Sequence, residues 1–147
     1  MLGDIFKPIR IKMDLEGTTK AGVFEELIET IAVSEPKYNR RKMFEAIIER
    51  ENKMNTIILP GVAVPHGYYS TVSGVIGAIG FSRDGIEYDD SDQNPVHFLF
   101  LLLMDEKSRE QHLQVFSRLL ELLKSPALTE IRRNGTPREL YDLVCCF

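Results

Sequence analysis

Three histidines, His66, His97 and His112, are the side chains best suited to nucleophilic or acid–base chemistry in this chain, and their neighbours set them apart. His97 sits in an apolar run between Val96 and Phe98, where a hydrogen-bonded structural histidine is expected. His66 stands in Gly61-Val62-Ala63-Val64-Pro65-His66-Gly67, a short apolar segment stopped by proline and followed at once by glycine. Proline interrupts sheet pairing and glycine permits a tight turn, so the imidazole is expected in an exposed loop that a second macromolecule can reach. An imidazole of ordinary pKa, about 6.5, is largely neutral near pH 7 and keeps one ring nitrogen with a free lone pair. Such a nitrogen can attack phosphorus and form a phosphoramidate that is readily passed on, provided donors neutralise the equatorial oxygens. An arginine fork suits that second task.

Other chemistries find less support. Cys145 and Cys146 are adjacent at the end of the chain, where a disulfide between them would close a strained ring, so reduced thiols are expected. No Cys-x-x-Cys or His-x-x-x-His spacing supports a metal site, which also argues against a metal-dependent hydrolase built on His66 and His112. Gly74, Gly77 and Gly80 do not form a dinucleotide-binding Gly-x-Gly-x-x-Gly turn. No cofactor is expected. A formal net charge of -4 argues against a nucleic-acid partner, which calls for a concentrated positive face. The longest apolar run, residues 98–104, is far short of the roughly 20 residues needed to cross a bilayer, and the first residues lack a signal-peptide apolar stretch. A cytoplasmic protein without direct membrane insertion is therefore expected.

The elements that must hold these histidines follow from periodicity. Residues 9–15 alternate, with Ile9, Ile11, Met13 and Leu15 on one face of an expected half-buried strand. Val23, Phe24, Leu27, Ile28 and Ile31 make the stripe of one helix, and Met43, Phe44, Ile47 and Ile48 that of a second running toward Lys53, which puts Arg50 near its end. Residues 71–82 read as a strand closely packed at its glycines and ended by the turn Arg83-Asp84-Gly85. Residues 95–104 read as a central strand covered on both faces. A long helix follows, with His112 near its N-terminus and Leu113, Phe116, Leu119, Leu120 and Leu123 expected inward. A short helix after Ser125-Pro126 stops at Gly135, and Thr136-Pro137-Arg138-Glu139 opens the last one with an N-cap threonine, first-turn proline and capping-box glutamate. With 147 residues, 44% of them hydrophobic, and no repeat or linker, the expectation is one domain over residues 1–147. Its fold class is α/β, a layered α/β/α sandwich with a mixed central sheet flanked by helices.

Taken in order, Arg50-Glu51, Thr56, the Gly61-to-Gly67 segment, Asn94-Pro95-Val96 and His112-Leu113 resemble, over nearly the whole chain, an enzyme IIA domain of the bacterial phosphoenolpyruvate-dependent phosphotransferase system. The resemblance is to the fructose/mannitol class, which includes the nitrogen-regulatory enzyme IIA proteins. It implies a phosphotransferase role. His66 would accept a phosphoryl group from the histidine phosphocarrier protein and pass it to a cysteine of an enzyme IIB domain. His112 corresponds to the family's second histidine, which helps hold the first and its phosphoryl group. Arg50 corresponds to an arginine that contacts the phosphoryl oxygens, with Thr56 a further candidate for the pocket.

The resemblance equally allows a regulatory protein that controls a target through its phosphorylation state or without phosphorylation. The C-terminal Glu139-Leu140-Tyr141-Asp142-Leu143 resembles those regulatory relatives. With no enzyme IIB or membrane segment in the sequence, the partners are expected on other chains. Tyr68 and Tyr69 are expected on an apolar docking surface beside His66. Two departures stand out: Thr56-Ile57-Ile58-Leu59-Pro60 replaces a family Thr-Gly-Ile-Gly, and Asp105 replaces a frequent proline. A carboxylate at that place opposes a phosphoryl charge unless it points away.

Overall fold

The computed structural model describes residues 1–89 and 94–147. Helices α1 (Leu2–Ile5), α2 (Lys20–Ser34), α3 (Arg40–Lys53), α4 (Arg109–Leu123), α5 (Pro126–Asn134) and α6 (Pro137–Val144) surround strands β1 (Ile11–Lys12), β2 (Ile57–Leu59), β3 (Val62–Ala63), β4 (His66–Tyr68), β5 (Val75–Ile86) and β6 (Val96–Met104). The strands form one mixed sheet in the order β1-β5-β6-β3-β2, with β4 also on β6. Strand β5 runs antiparallel to β6, whereas β3 and β4 run parallel to it one after the other.

Alternation along β6 builds both layers. Leu99, Leu101 and Leu103 enter one core with Phe24 and Leu27 of α2 and Met43 and Ile47 of α3. Phe98, Phe100 and Leu102 enter the other with Val115, Leu119 and Leu122 of α4 and Leu140 and Val144 of α6. A strand buried on both faces needs the near-continuous apolar run that the sequence supplies, so the layered α/β/α arrangement follows from β6.

Local capping sets the helix starts. Thr19 Oγ1 accepts the Gly22 N–H at 3.1 Å to open α2, and Asn39 Oδ1 accepts that of Lys42 at 3.0 Å to open α3. At α6, Thr136 and Glu139 exchange both bonds of a capping box.

Four sequence expectations change. The strand expected over residues 9–15 shrinks to Ile11–Lys12, because Pro8–Arg10 forms a 3-10 turn that leaves Ile9 58% exposed. Arg10 is buried instead, its guanidinium donating to Gly77 O at 2.9 Å and Ile5 O at 2.8 Å. The turn at Arg83-Asp84-Gly85 does not end β5. It is a bulge across which pairing moves from Phe81↔Phe98 to Ile86↔Val96, with Gly85 at φ 82 and its N–H bonded to Ser82 Oγ. On α4 the inward residues are His112, Val115, Leu119, Leu122 and Leu123, whereas Leu113 and Leu120 are 73% and 44% exposed. The leucines of this helix form two overlapping stripes at helical spacing, and only the shape of the sheet selects between them.

The fourth change concerns His66, which lies on a strand and not in a loop. Pro65 breaks regular pairing, but its carbonyl accepts the Leu102 N–H at 2.9 Å, and pairing resumes at His66↔Leu102. Gly67 serves close packing here: a Cβ on it would stand 2.6 Å from Ala46 O, so only glycine lets β4 lie this near α3. Among the described residues no helix is long and apolar enough to cross a membrane.

Candidate functional site

The half-buried His66 begins β4, where its Nδ1 lies 2.9 Å from Val64 O. A carbonyl oxygen only accepts, so Nδ1 carries the proton and Nε2 keeps the lone pair. Burial lowers the imidazole pKa. The Val64 bond opposes that shift, nearby Arg50 adds to it and Glu51 opposes it, and the net direction is below the ordinary value. The ring is therefore neutral at pH near 7, with Phe116 of α4 edge-on at 5.3 Å between centroids.

A cavity of about 250 Å³ opens beside this ring, lined by Arg50, Lys53 and Glu49 of α3, by Tyr68 of β4, and by Glu106 before α4. Arg50 stands in the last turn of α3, and its Nη1 donates to Met54 O at 2.9 Å, which braces one side of the guanidinium. Two cations from one helix end thus share a small cavity with a neutral imidazole and with the carboxylates Glu49 and Glu106, and Arg50 is the side chain whose fork can take an anion's oxygens. Such a fork beside a neutral imidazole suits an oxyanion such as a phosphoryl group. Lys53 escaped the sequence reading, although its place three residues after Arg50 puts it on the same helix face.

His112 is buried, not a surface residue of the helix start. It lies one turn before Phe116, and its ring packs on Tyr68 at 6.1 Å. Helix α4 thereby touches β4 twice, through Phe116 on His66 and through His112 on Tyr68. The two histidines share one helix–strand contact, but His112 does not line the cavity. Its Nε2 is buried without a hydrogen bond; Asp105 Oδ1 lies 3.5 Å away, close enough for an ion pair but outside hydrogen-bond geometry.

The Asp105 carboxylate accepts the N–H of Gly74 at 2.8 Å, the N–H of Ser108 at 2.8 Å and the Ser108 hydroxyl at 3.0 Å. These bonds hold its pKa down to about 2. It does not line the His66 cavity, whereas the neighbouring carboxylate Glu106, which also adds negative charge ahead of His112, does.

Thr56 is also absent from the cavity lining and lies in a buried network behind it. Its hydroxyl donates to Glu51 Oε2 at 2.7 Å and lies 3.1 Å from the Tyr88 hydroxyl, while its N–H donates to Glu51 Oε1 at 3.1 Å. Lys20 closes the network, 3.4 Å from Glu51 Oε1 and 4.3 Å above the Tyr88 ring. Burial, with the Glu51 charge beside it, pushes the Tyr88 phenol far up. Glu51 so ties the end of α3, and with it Arg50, to the start of β2. Nothing in sequence pointed to this bond, to Tyr88 or to Lys20.

The two tyrosines part company. Tyr68 is 56% exposed at the cavity, whereas Tyr69 is buried, accepts the Asn39 N–H at 3.0 Å and packs on Tyr38. Tyr69 is thus a core residue and no docking surface. Ile57 and Leu59 form the antiparallel β2–β3 pair and do not line the cavity. His97 is held through Nδ1 to Ser82 O at 2.8 Å, the structural role expected for it.

Residues 4–145 match the family described as phosphoenolpyruvate-dependent sugar phosphotransferase system, EIIA 2. The chain is 33% identical over 135 residues to the fructose-specific EIIABC component of Bacillus subtilis, a match covering 91% of this chain and 21% of that protein. A nitrogen regulatory protein of Pseudomonas aeruginosa is 28% identical over 144 residues, 97% of this chain and 94% of its own length. Among solved structures, the nitrogen regulatory protein IIA-Ntr from Neisseria meningitidis superposes with a TM-score of 0.87 at 27% identity, covering 97% of this chain and 98% of that one. The Escherichia coli complex of enzyme IIA and phosphorylated enzyme IIB for mannitol shares the fold, with a TM-score of 0.74 at 17% identity.

Proposed function

Because this chain belongs to the EIIA 2 family of the phosphoenolpyruvate-dependent sugar phosphotransferase system, and its role is that of a phosphoryl carrier or regulator, we propose that His66 Nε2 is the atom that carries the phosphoryl group. In this reading Nε2 attacks the phosphorus of the phosphorylated histidine phosphocarrier protein. A new N–P bond forms as the donor's N–P bond breaks, and the proton stays on Nδ1, donated to Val64 O, throughout. The thiolate of an enzyme IIB cysteine then forms an S–P bond as the His66 N–P bond breaks and returns its lone pair to Nε2, or the group stays on His66 as a signal read by a regulated target. Arg50 takes the phosphoryl oxygens with its unbraced N–H groups, and Lys53 adds a second positive charge. His112 shapes the wall beside Tyr68.

One observation carries the proposal: Nδ1 is committed to Val64 O, so the nitrogen left with a lone pair is Nε2, on a ring that borders the cavity shared with Arg50 and Lys53. The working unit in this reading is one phosphocarrier domain over residues 1–147, acting in the cytoplasm. Regulation is the second use of the same chemistry, favoured by the nitrogen regulatory relative matched over 94% of its length. The transport relative is matched over only 21% of its length.

The test is intact mass after incubation with phosphoenolpyruvate, enzyme I and the histidine phosphocarrier protein. A phosphate-sized, acid-labile gain that disappears in His66→Ala is expected. No gain in the wild type overturns the carrier reading in favour of a binding protein that works without phosphorylation.

A further inference from the structure

Of the three histidines, two hold Nδ1 against a backbone carbonyl, His66 on Val64 O at 2.9 Å and His97 on Ser82 O at 2.8 Å. His112 differs. Its Nε2 is the buried side-chain polar atom left without a hydrogen bond among the described residues, and the oxygen facing it is Asp105 Oδ1 at 3.5 Å. We propose that Asp105 is a positioning residue that holds His112 as the Nε2–H tautomer, the opposite of His66 and His97, and so fixes the ring that packs on Tyr68 at the cavity wall.

A carboxylate can only accept, so a nitrogen buried against it is satisfied only when it carries the proton. The carboxylate is itself fixed: the Ser108 N–H bonds to Oδ1, the oxygen facing His112, and the Gly74 N–H and Ser108 hydroxyl bond to Oδ2. The same bonds keep it ionised, with a pKa of about 2. Closing 3.5 Å to a normal bond needs a shift of only a few tenths of an ångström in a ring already seated on Tyr68. The consequence for phosphoryl transfer rests on the carrier reading above; the tautomer does not.

Long-range ¹H–¹⁵N spectra of the histidine rings in the resting protein test this directly, with no phosphoryl donor present. The wild type is expected to show two Nδ1–H rings and one Nε2–H ring, the last lost in His112→Gln. Asp105→Asn is expected to shift His112 toward Nδ1–H, because an amide cannot accept from Gly74, Ser108 and His112 at once, while His66 and His97 stay unchanged as reporters of the fold. A wild-type Nδ1–H His112, or an Asn variant with His112 unmoved, overturns the proposal. If Asp105→Asn does not fold, Ser108→Ala, which frees one bond to the carboxylate, is expected to move the His112 signals alone; no movement overturns it. In phosphoryl uptake, Asp105→Asn is expected to be slower by roughly tenfold at unchanged final mass, since the ring that seats the cavity residue Tyr68 loses its anchor. An equal rate with an altered tautomer overturns the link to the site. Absence of uptake in the wild type counts against the carrier reading and leaves the spectra to decide the tautomer.

Discussion

The two ends of β6 each place a histidine against a backbone carbonyl, and the comparison isolates what makes a site. At one end His97 donates to Ser82 O, packs on Phe81 at 6.3 Å, and lies against the bulge at Gly85, where a Cβ would come within 3.0 Å of its Cε1. At the other end β4 pairs alongside, and His66 makes the same kind of bond to Val64 O while its ring borders a cavity with two cations of α3. Tautomer and partial burial are alike at the two ends. The difference is the end of α3, which brings Arg50 and Lys53 to His66. A hydrogen-bonded histidine is thus common property of strand and site, and the cavity it shares with two cations is what distinguishes the site.

The comparison breaks most visibly if the two histidines exchange behaviour. His66→Ala is expected to abolish phosphoryl uptake measured by intact mass, whereas His97→Ala keeps it and loses about 1 kcal/mol of stability in urea titration for its one bond. Next in size, Arg50→Ala is expected to slow uptake on the order of a hundredfold in a quenched time course without moving the thermal midpoint, and Arg50→Lys to recover part of that rate.

Glycines at the two ends give a smaller effect of like sign. Gly67→Ala forces β4 away from Ala46 O and is expected to cost roughly 1–3 kcal/mol in chemical denaturation, with uptake impaired as well. Gly85→Ala, at φ 82, is expected to cost about 1–2 kcal/mol with uptake intact.

The smallest effect is in pH. Because burial lowers the His66 pKa below 6.5, its NMR titration midpoint is expected under that value. The sign follows from linkage: as pH falls through 6.5 the unfolded imidazole takes a proton first, so stability drops between 6.5 and the folded midpoint. His66→Gln is expected to flatten that part of the stability–pH curve.

Much of this molecule was legible from residues in order. The apolar run of β6, the stripes of α2 and α3, and the cap at Thr136 each act within a few residues, so their signals survive without knowledge of the fold. The histidine of the Pro65-His66-Gly67 segment and Arg50 near a helix end were legible too, from local context and from the family pattern. Illegible were the partners that only folding supplies. Lys20 reaches Glu51, and Asp105 reaches Gly74, across separations that no periodicity encodes. Tyr68 ends β4 and Tyr69 follows it with its N–H still on Met104 O, so the two neighbours take opposite faces, one exposed and the other in the core.

By itself, then, the sequence determined the long helices, the central strand β6 and the layered α/β class, and it singled out His66 as the histidine to consider for phosphoryl chemistry, because capping, periodicity and side-chain chemistry are local. Tertiary structure decided that His112 rather than Leu113 faces inward, that β5 runs on through its bulge, and that Pro65 only pauses a strand that resumes at His66. Those outcomes depend on the surface each element meets. A helix with two apolar stripes, or a strand with a glycine near its end, has more than one acceptable local conformation, and packing against β6 selects one of them.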